Sequence, residues 1–225
     1  MKMKLFMTLA AFVAATASLQ ADVIISGDET YIRSGAADSN LNGEDRILIG
    51  FHSTATLQAM RGVFEFDLTS VTDTIDSISL TLDKGSFTNG DQSSGQFDLL
   101  LKSLDTDFAE SAVTWNSFTP DGGDVSGTTL STVAGYNAQT IASATFGSTT
   151  DFLSAANAAK GGIFRLIAYS PDAEGITVTD APNDKSFYRF TDAATLNITT
   201  IPEPSSLLLL GLAGLALVLF RSRRS

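Results

Sequence analysis

An all-β sandwich or barrel carrying one short helix is the fold class that the sequence predicts, on three observations made along 225 residues. Short runs rich in β-branched and aromatic residues are separated by clusters of Gly, Asn, Asp and Ser, which is the punctuation of strands and turns. One run, Met60 to Leu68, alternates: Val63, Glu65 and Asp67 fall on one phase and Phe64, Phe66 and Leu68 on the other, so this strand should have one wet and one buried face. Two hydrophobic segments lie at the chain ends, Met1 to Ala21 and Leu207 to Phe220, which leaves a central body of residues 22–200.

Within that body the expected strands follow in order. Val23 to Ile25, Thr30 to Arg33, Arg46 to Phe51 and Met60 to Leu68 come first. Ser77 to Leu82, Phe97 to Leu104, Ile141 to Phe146, Gly162 to Tyr169, Ser186 to Thr191 and Thr195 to Thr199 complete them. Asn42-Gly43, Asn89-Gly90 and Asp121-Gly122-Gly123 are turn signals between the runs. A helix is predicted over Thr150 to Lys160, with Ser148 or Thr149 as its cap and Gly161 just past its end.

Composition removes several functions. With no Cys there is no disulfide framework, thiol catalysis or zinc finger, and the single His52 cannot build a histidine-rich metal site. Setting aside Lys2, Lys4, Arg221, Arg223, Arg224 and Glu203, residues 22–200 keep 9 of the 14 basic and 24 of the 25 acidic residues, a net charge of -15. A surface this acidic repels polyanions unless divalent cations bridge, and it argues against a nucleic-acid partner, whose phosphates must be met by Lys and Arg. Neutral ligands suit it better than anionic ones.

The two ends carry addressing signals. Lys2 and Lys4 precede an apolar stretch from Leu5 to Ala15 and then small residues, the pattern of a secretory signal peptide spanning 1–21, with cleavage after Ala21 and Ala15-Thr16-Ala17 as an alternative small-x-small site. At the other end Pro202-Glu203-Pro204 precedes an uncharged hydrophobic helix expected over 207–220, followed by Arg221, Arg223 and Arg224. Fourteen apolar residues fall short of the ~20 that cross a bilayer comfortably, so the span is a thin or transient one, and the arginines place its far end in the cytoplasm. The two prolines keep Glu203 in an extended segment that cannot join the following helix. Residues 201–225 resemble the PEP-CTERM sorting signal. That resemblance implies export in a Gram-negative bacterium that makes exopolysaccharide, with the tail recognised and removed by an exosortase, a membrane transpeptidase.

The body is similar to the DNRLRE type domain, also classed as a carbohydrate-binding module. The resemblance rests on Asp28 to Arg33 with Asn40-Leu41-Asn42-Gly43, on Arg61 to Leu68 with Ile75 to Leu82 as a central hairpin, on the Trp-bearing loop Phe108 to Asn116, and on Gly161 to Leu166 after the helix. It implies a jelly-roll β-sandwich over 22–200. Such folds host binding, catalysis and scaffolding alike, so function has to come from a site.

Trp115 offers an indole face for a sugar ring, with Asn116 and Glu110 as hydrogen-bonding neighbours, against a packing role in the core. Tyr31, Tyr136, Tyr169 and Tyr188 are further stacking candidates that half-buried packing would equally explain. Calcium would suit either of two loose oxygen-rich groups, Asp83, Asn89 and Asp91 or Asp121, Gly123 and Asp124, and solvated loops account for both. No cofactor is otherwise expected. A glycosidase needs two carboxylates facing a cleft, and the many acids here show no such spacing. His52 with Arg46 is the only seed for lyase chemistry.

The expectation is therefore a non-enzymatic, exosortase-sorted protein of the cell surface or extracellular matrix, transiently anchored through 207–220, whose sandwich binds carbohydrate in the exopolysaccharide layer. A structural surface protein without ligand is the alternative, and a polysaccharide lyase or glycosidase the third. An exposed aromatic platform separates the first from the second.

Overall fold

A computed structural model of the chain describes residues 20–25, 28–53, 57–85, 96–118, 122, 125, 127–171 and 185–201. Ten strands and one α-helix lie among them: β1 (Gln20–Ile25), β2 (Asp28–Arg33), β3 (Ile47–Ser53), β4 (Leu57–Asp67), β5 (Thr74–Lys84), β6 (Phe97–Ser103), β7 (Thr129–Tyr136), β8 (Ser143–Phe146), α1 (Thr150–Ala159), β9 (Ile163–Tyr169) and β10 (Lys185–Ile201). The strands form one antiparallel sheet ordered β7-β6-β9-β4-β3-β10-β5-β8, with β1 paired to β10 and β2 to β4. The main core draws Ile47 and Ile49 from β3, Phe64 and Phe66 from β4, Leu80 and Leu82 from β5, Leu99 and Leu101 from β6, Phe146 from β8 and Leu196 and Ile198 from β10. Side chains so far apart along a sheet meet only if the sheet curls on itself, which makes it a sandwich close to a barrel. Its two edges approach where Ser131 Oγ donates to the Gly147 carbonyl at 2.8 Å and Thr149 Oγ1 donates to that of Leu130.

The expected elements mostly recur, with four informative differences. The proposed central hairpin does not form: β4 pairs with β2, β3 and β9, and β5 pairs with β10 and β8, so two consecutive strands are separated by β3 and β10 in the sheet. The loop from Leu68 to Asp73 is thus a crossing between the halves of the sandwich. The expected strands Ser186 to Thr191 and Thr195 to Thr199 are one strand of 17 residues, because Thr191-Asp192-Ala193 is absorbed as an irregularity in register between Phe190 and Ala194 instead of turning the chain. Strand β7 carries no apolar run to announce it. The strand expected from Ile141 starts at Ser143, because Asn137 closes a turn through its carbonyl to the amides of Thr140 and Ile141.

Helix α1 forms as expected. Thr149 is its cap, accepting from the Phe152 amide at 3.1 Å, Asp151 faces the positive end of the helix dipole, and Gly161 beyond the last turn takes φ 72°. The helix buries Phe152 and Ala156 in the main core, and Asn157 holds it to β5 by accepting from the Ile75 amide at 3.0 Å and donating to the Ile75 carbonyl at 2.9 Å. Because the Thr149 hydroxyl serves both the helix and β7, Thr149→Ala is expected to lower stability by about 1 kcal/mol or somewhat more, read from chemical denaturation.

Candidate functional site

The phase of β4 expected to be wet is only partly so. Val63 is fully buried, and with Ile32 and Ile167 it supports a second, smaller core completed by Leu104, Val113, Trp115 and Phe118. The Trp-bearing loop is what covers it. Thr114 and Ser117 cap the short 3-10 turn Trp115–Ser117 reciprocally, which aims the indole inward. Asn40 fastens the loop from outside, donating to the carbonyls of Glu110 at 2.7 Å and Val113 at 2.8 Å, and the Asn116 side chain donates to Asp38 at 2.7 Å.

Trp115 is 9% exposed. The Arg61 guanidinium lies 4.8 Å from the centre of its ring and 5.8 Å from that of Tyr169, while Lys102 Nζ lies 5.7 Å from Tyr169. Two buried cations therefore stack on two buried aromatic rings, an arrangement that contributes most where water is excluded. Each cation also takes backbone oxygens from one loop: Arg61 donates to the Gly122 carbonyl at 3.1 Å, and Lys102 donates to those of Val125 and, at 2.6 Å, Gly127. Gly122 is required here twice over, since its φ is 77° and a Cβ would sit 2.5 Å from the indole. Sequence reading missed Arg61 and Lys102. Their only signal was a charge placed within strands otherwise rich in apolar residues.

This geometry bears on the calcium candidates. Asp121, Gly123, Asp124, Asn89 and Asp91 lie outside the described residues. The carbonyls of Gly122, Val125 and Gly127, the kind of oxygen a calcium loop would offer, point at the chain's own Arg61 and Lys102. Asp83 sits near the end of β5 opposite Ser143. Among the described residues no three Asp, Glu or His side chains are placed to hold a metal.

Two concavities lie among the described residues. A small acidic one of about 100 Å³ is lined by Glu29, Glu44, Asp45, Arg46, Glu110 and Asp192, among others. One Glu44 oxygen accepts from the Tyr31 hydroxyl at 2.7 Å and from Arg46 Nε at 2.7 Å; burial alone would raise this carboxyl, but these bonds hold it below its ordinary value. Glu110 goes the other way, raised by partial burial and by the charges of Asp28 and Asp192. A carboxyl with a raised folded-state pKa costs stability above that pKa and costs nothing below its unfolded value. Glu110→Gln is therefore expected to raise the Tm modestly at pH 7, with the gain vanishing as pH falls through the ordinary carboxylate range near 4. At 100 Å³ this pocket is well under the roughly 300–1,000 Å³ of small-molecule sites. The second concavity, about 510 Å³, runs along the seam between β7 and the start of α1 and is lined by Thr129, Ser131, Thr132, Ser148, Thr149 and Asp151 among others. It offers hydroxyls and one carboxylate, and no aromatic ring.

The remaining candidates are placed as follows. Tyr31, Tyr136, Tyr169 and Tyr188 are all buried. The rings of Tyr136 and Tyr188 meet edge to face at 4.9 Å, and the Tyr188 hydroxyl donates to the Tyr136 carbonyl at 2.6 Å and accepts from the Phe97 amide at 3.1 Å. His52 lies in β3 opposite Gln58 and Lys185, its side chain outside the described residues, and Arg46 is engaged by Glu44. Ala21 lies in β1 opposite Thr199, so the first two residues of the described strand, Gln20 and Ala21, precede the expected cleavage bond. Pro202, Glu203, Pro204, Arg221, Arg223, Arg224 and the helix expected over 207–220 lie outside the described residues, and among the described ones no helix is long and apolar enough to cross a membrane.

Comparison with known proteins adds one finding. Residues 200–224 match the PEP-CTERM protein-sorting motif. The match begins inside β10, whose last two residues are Thr200 and Ile201, so the sorting signal follows the sheet with no linker between them. It supports an exported protein handled by an exosortase. No curated protein matches the chain.

Proposed function

We propose that the chain is a non-catalytic structural protein of the cell surface or extracellular matrix, exported under its N-terminal signal, held briefly through 207–220 and released by exosortase at the Pro202-Glu203-Pro204 segment. The observation that carries the sorting half is the motif at 200–224. The structural half is supported by the fate of the aromatic side chains: Trp115 and the four tyrosines are buried, and the half-buried Phe97 and Phe108 pack against Tyr188 and Phe118. These rings are spent on the core rather than offered to a glycan. A dense acidic surface over a fully packed sandwich suits a soluble, durable component of a hydrated matrix.

The test is processing in an exosortase-bearing Gram-negative host. The parent chain should reach the surface as a shortened form, and a variant with Glu203→Ala and Arg221, Arg223 and Arg224→Ala should accumulate at full length in the membrane. Equal processing of both would overturn the proposal. A second reading, glycan binding, is favoured by the hydroxyl-lined seam groove. It would show as saturable binding to a neutral polysaccharide that Thr132→Leu weakens without changing the Tm.

A further inference from the structure

The body and its tail are joined at a fixed place, which limits how the body can sit before the tail is removed. Strand β10 is held to its end: Thr200 is opposite Ile75 and Ile201 opposite Thr74 on β5, while Thr200 is also opposite Gln20 on β1. Only residues 202–206 lie between this paired strand and the hydrophobic run that starts at Leu207. Six Cα steps of at most ~3.3–3.6 Å reach about 20 Å, and the headgroup layer takes up several of those. A tail inserted in the bilayer therefore holds this end of the sheet at the membrane surface.

The same end holds the start of β1. Antiparallel partners have Cα atoms about 4.5–5.5 Å apart, so the chain entering at Gln20 and the chain leaving at Thr200 pass the same point. The end also has a suitable surface. The Gly161 amide donates to the Leu68 carbonyl at 3.1 Å and the Leu68 amide to the Gly162 carbonyl at 2.9 Å, which sets the start of β9 beside the crossing from β4 to β5. Ile163 and Ile201, 38% and 39% exposed, are two of the three exposed large hydrophobics among the described residues, and both start or finish strands at this end. Lys160 is close by, as are Asp67 and Asp73, so the tether rather than net charge sets the orientation. Asp192, which lines the acidic concavity, lies nine residues back from Ile201 near the middle of β10, at most about 30 Å away at ~3.3 Å per residue because the register shifts between Phe190 and Ala194.

We infer that the end of the sandwich formed by Ile201, Ile163 and the 69–73 loop is a membrane-facing surface that rests on phospholipid headgroups while the sorting tail is in place, with the acidic corner around Glu44, Glu110 and Asp192 pointing outward. The inference depends on the proposed insertion of the tail. Exosortase then meets its substrate segment directly beneath a folded sheet, and the acidic corner is what the tethered protein presents to the outside.

The absence of cysteine makes the test direct. Full-length chains carrying a single Thr72→Cys or Asn42→Cys substitution, both at exposed positions, are labelled with an environment-sensitive fluorophore and reconstituted in phosphatidylethanolamine/phosphatidylglycerol vesicles containing a headgroup spin-label quencher. The Thr72 label should lose most of its emission and the Asn42 label should stay bright. A flexible Gly-Ser insertion of about 12 residues between Ile201 and Pro202, adding roughly 20 Å of reach, should restore the Thr72 emission. Equal quenching at both positions, or stronger quenching at Asn42, on vesicles that carry the protein overturns the orientation while leaving tail insertion intact. Failure of the chain to float with the vesicles overturns tail insertion and the orientation with it.

Discussion

Trp115→Ala is expected to be among the most damaging single substitutions in the body, costing about 3–5 kcal/mol as for other buried tryptophans. The indole fills the second core beside Val113 and Phe118, and its loss also leaves the Arg61 guanidinium without the ring 4.8 Å away. Arg61 remains buried, so the charge is left with less compensation than before. Against a total stability of about 5–15 kcal/mol the domain should survive, with a Tm lower by ~10 °C or more. Gly122→Ala should reproduce part of the loss, because its Cβ would press into the same ring from a φ of 77°. A melting curve for Trp115→Ala within a degree or two of the parent would mean that the loop is not a core element, and would return the indole to the surface as a stacking platform.

Alkaline unfolding between pH 10 and 12 should be unusually steep. The hydroxyls of Tyr31, Tyr136 and Tyr188 are each pushed up to about 12, all three chiefly by burial; Tyr31 is raised further by its bond to Glu44, and Tyr136 by neighbouring Tyr188 and Asp83. A phenol with a raised folded-state pKa keeps its proton in the native protein while the unfolded chain releases it. The folded state binds more protons throughout the interval, so stability is fully present below about pH 10 and falls as pH rises. Each withheld proton steepens the fall by up to about 1.4 kcal/mol per pH unit, less whatever solvent screening removes. Denaturation midpoints measured from pH 8 to 11.5 should be level and then drop, and Tyr188→Phe should flatten the drop while also costing the bonds to Phe97 and Tyr136. A profile without a break at pH 10 would contradict these environments.

Much of the architecture was legible because single residues carry the signal. The alternation Val63 to Leu68 announces a strand wherever it pairs, and Thr149, Asp151 and Gly161 announce a helix from its two ends. What failed depended on partners distant in sequence. Strand β7 reads Thr-Leu-Ser-Thr-Val-Ala-Gly-Tyr and is a strand because β6 lies beside it. Thr191, Asp192 and Ala193 look like a turn, yet β10 runs through them because its register on β3 and β5 is secured on either side. The face of β4 that should have been wet is dry at Val63 because a loop some 50 residues later folds over it. The site candidates suffered from the same blindness. Trp115, Asn116 and Glu110 do come together as neighbours on one loop, but whether an indole points outward is decided by the capping of that loop and by Arg61, neither of which has a local signature.

The position of β10 has a consequence for the timing of assembly. It lies between β3 and β5 in the sheet and supports β1 as well, yet among the described strands it is the last to be made and the last to cross a membrane in an N-to-C export. Until it arrives, β7-β6-β9-β4-β3 and β5-β8 are two fragments with unpaired inner edges, and the contacts that unite them span more than 100 residues for β3 and β5 and some 175 for β1. Such closure is intrinsically slow and exposes strands to wrong partners. Under the proposed insertion of the tail, a chain held by the run that starts at Leu207 is kept apart from its neighbours during that interval, and the sorting signal would then also serve as a holding point in which the keystone strand settles before the molecule is let go.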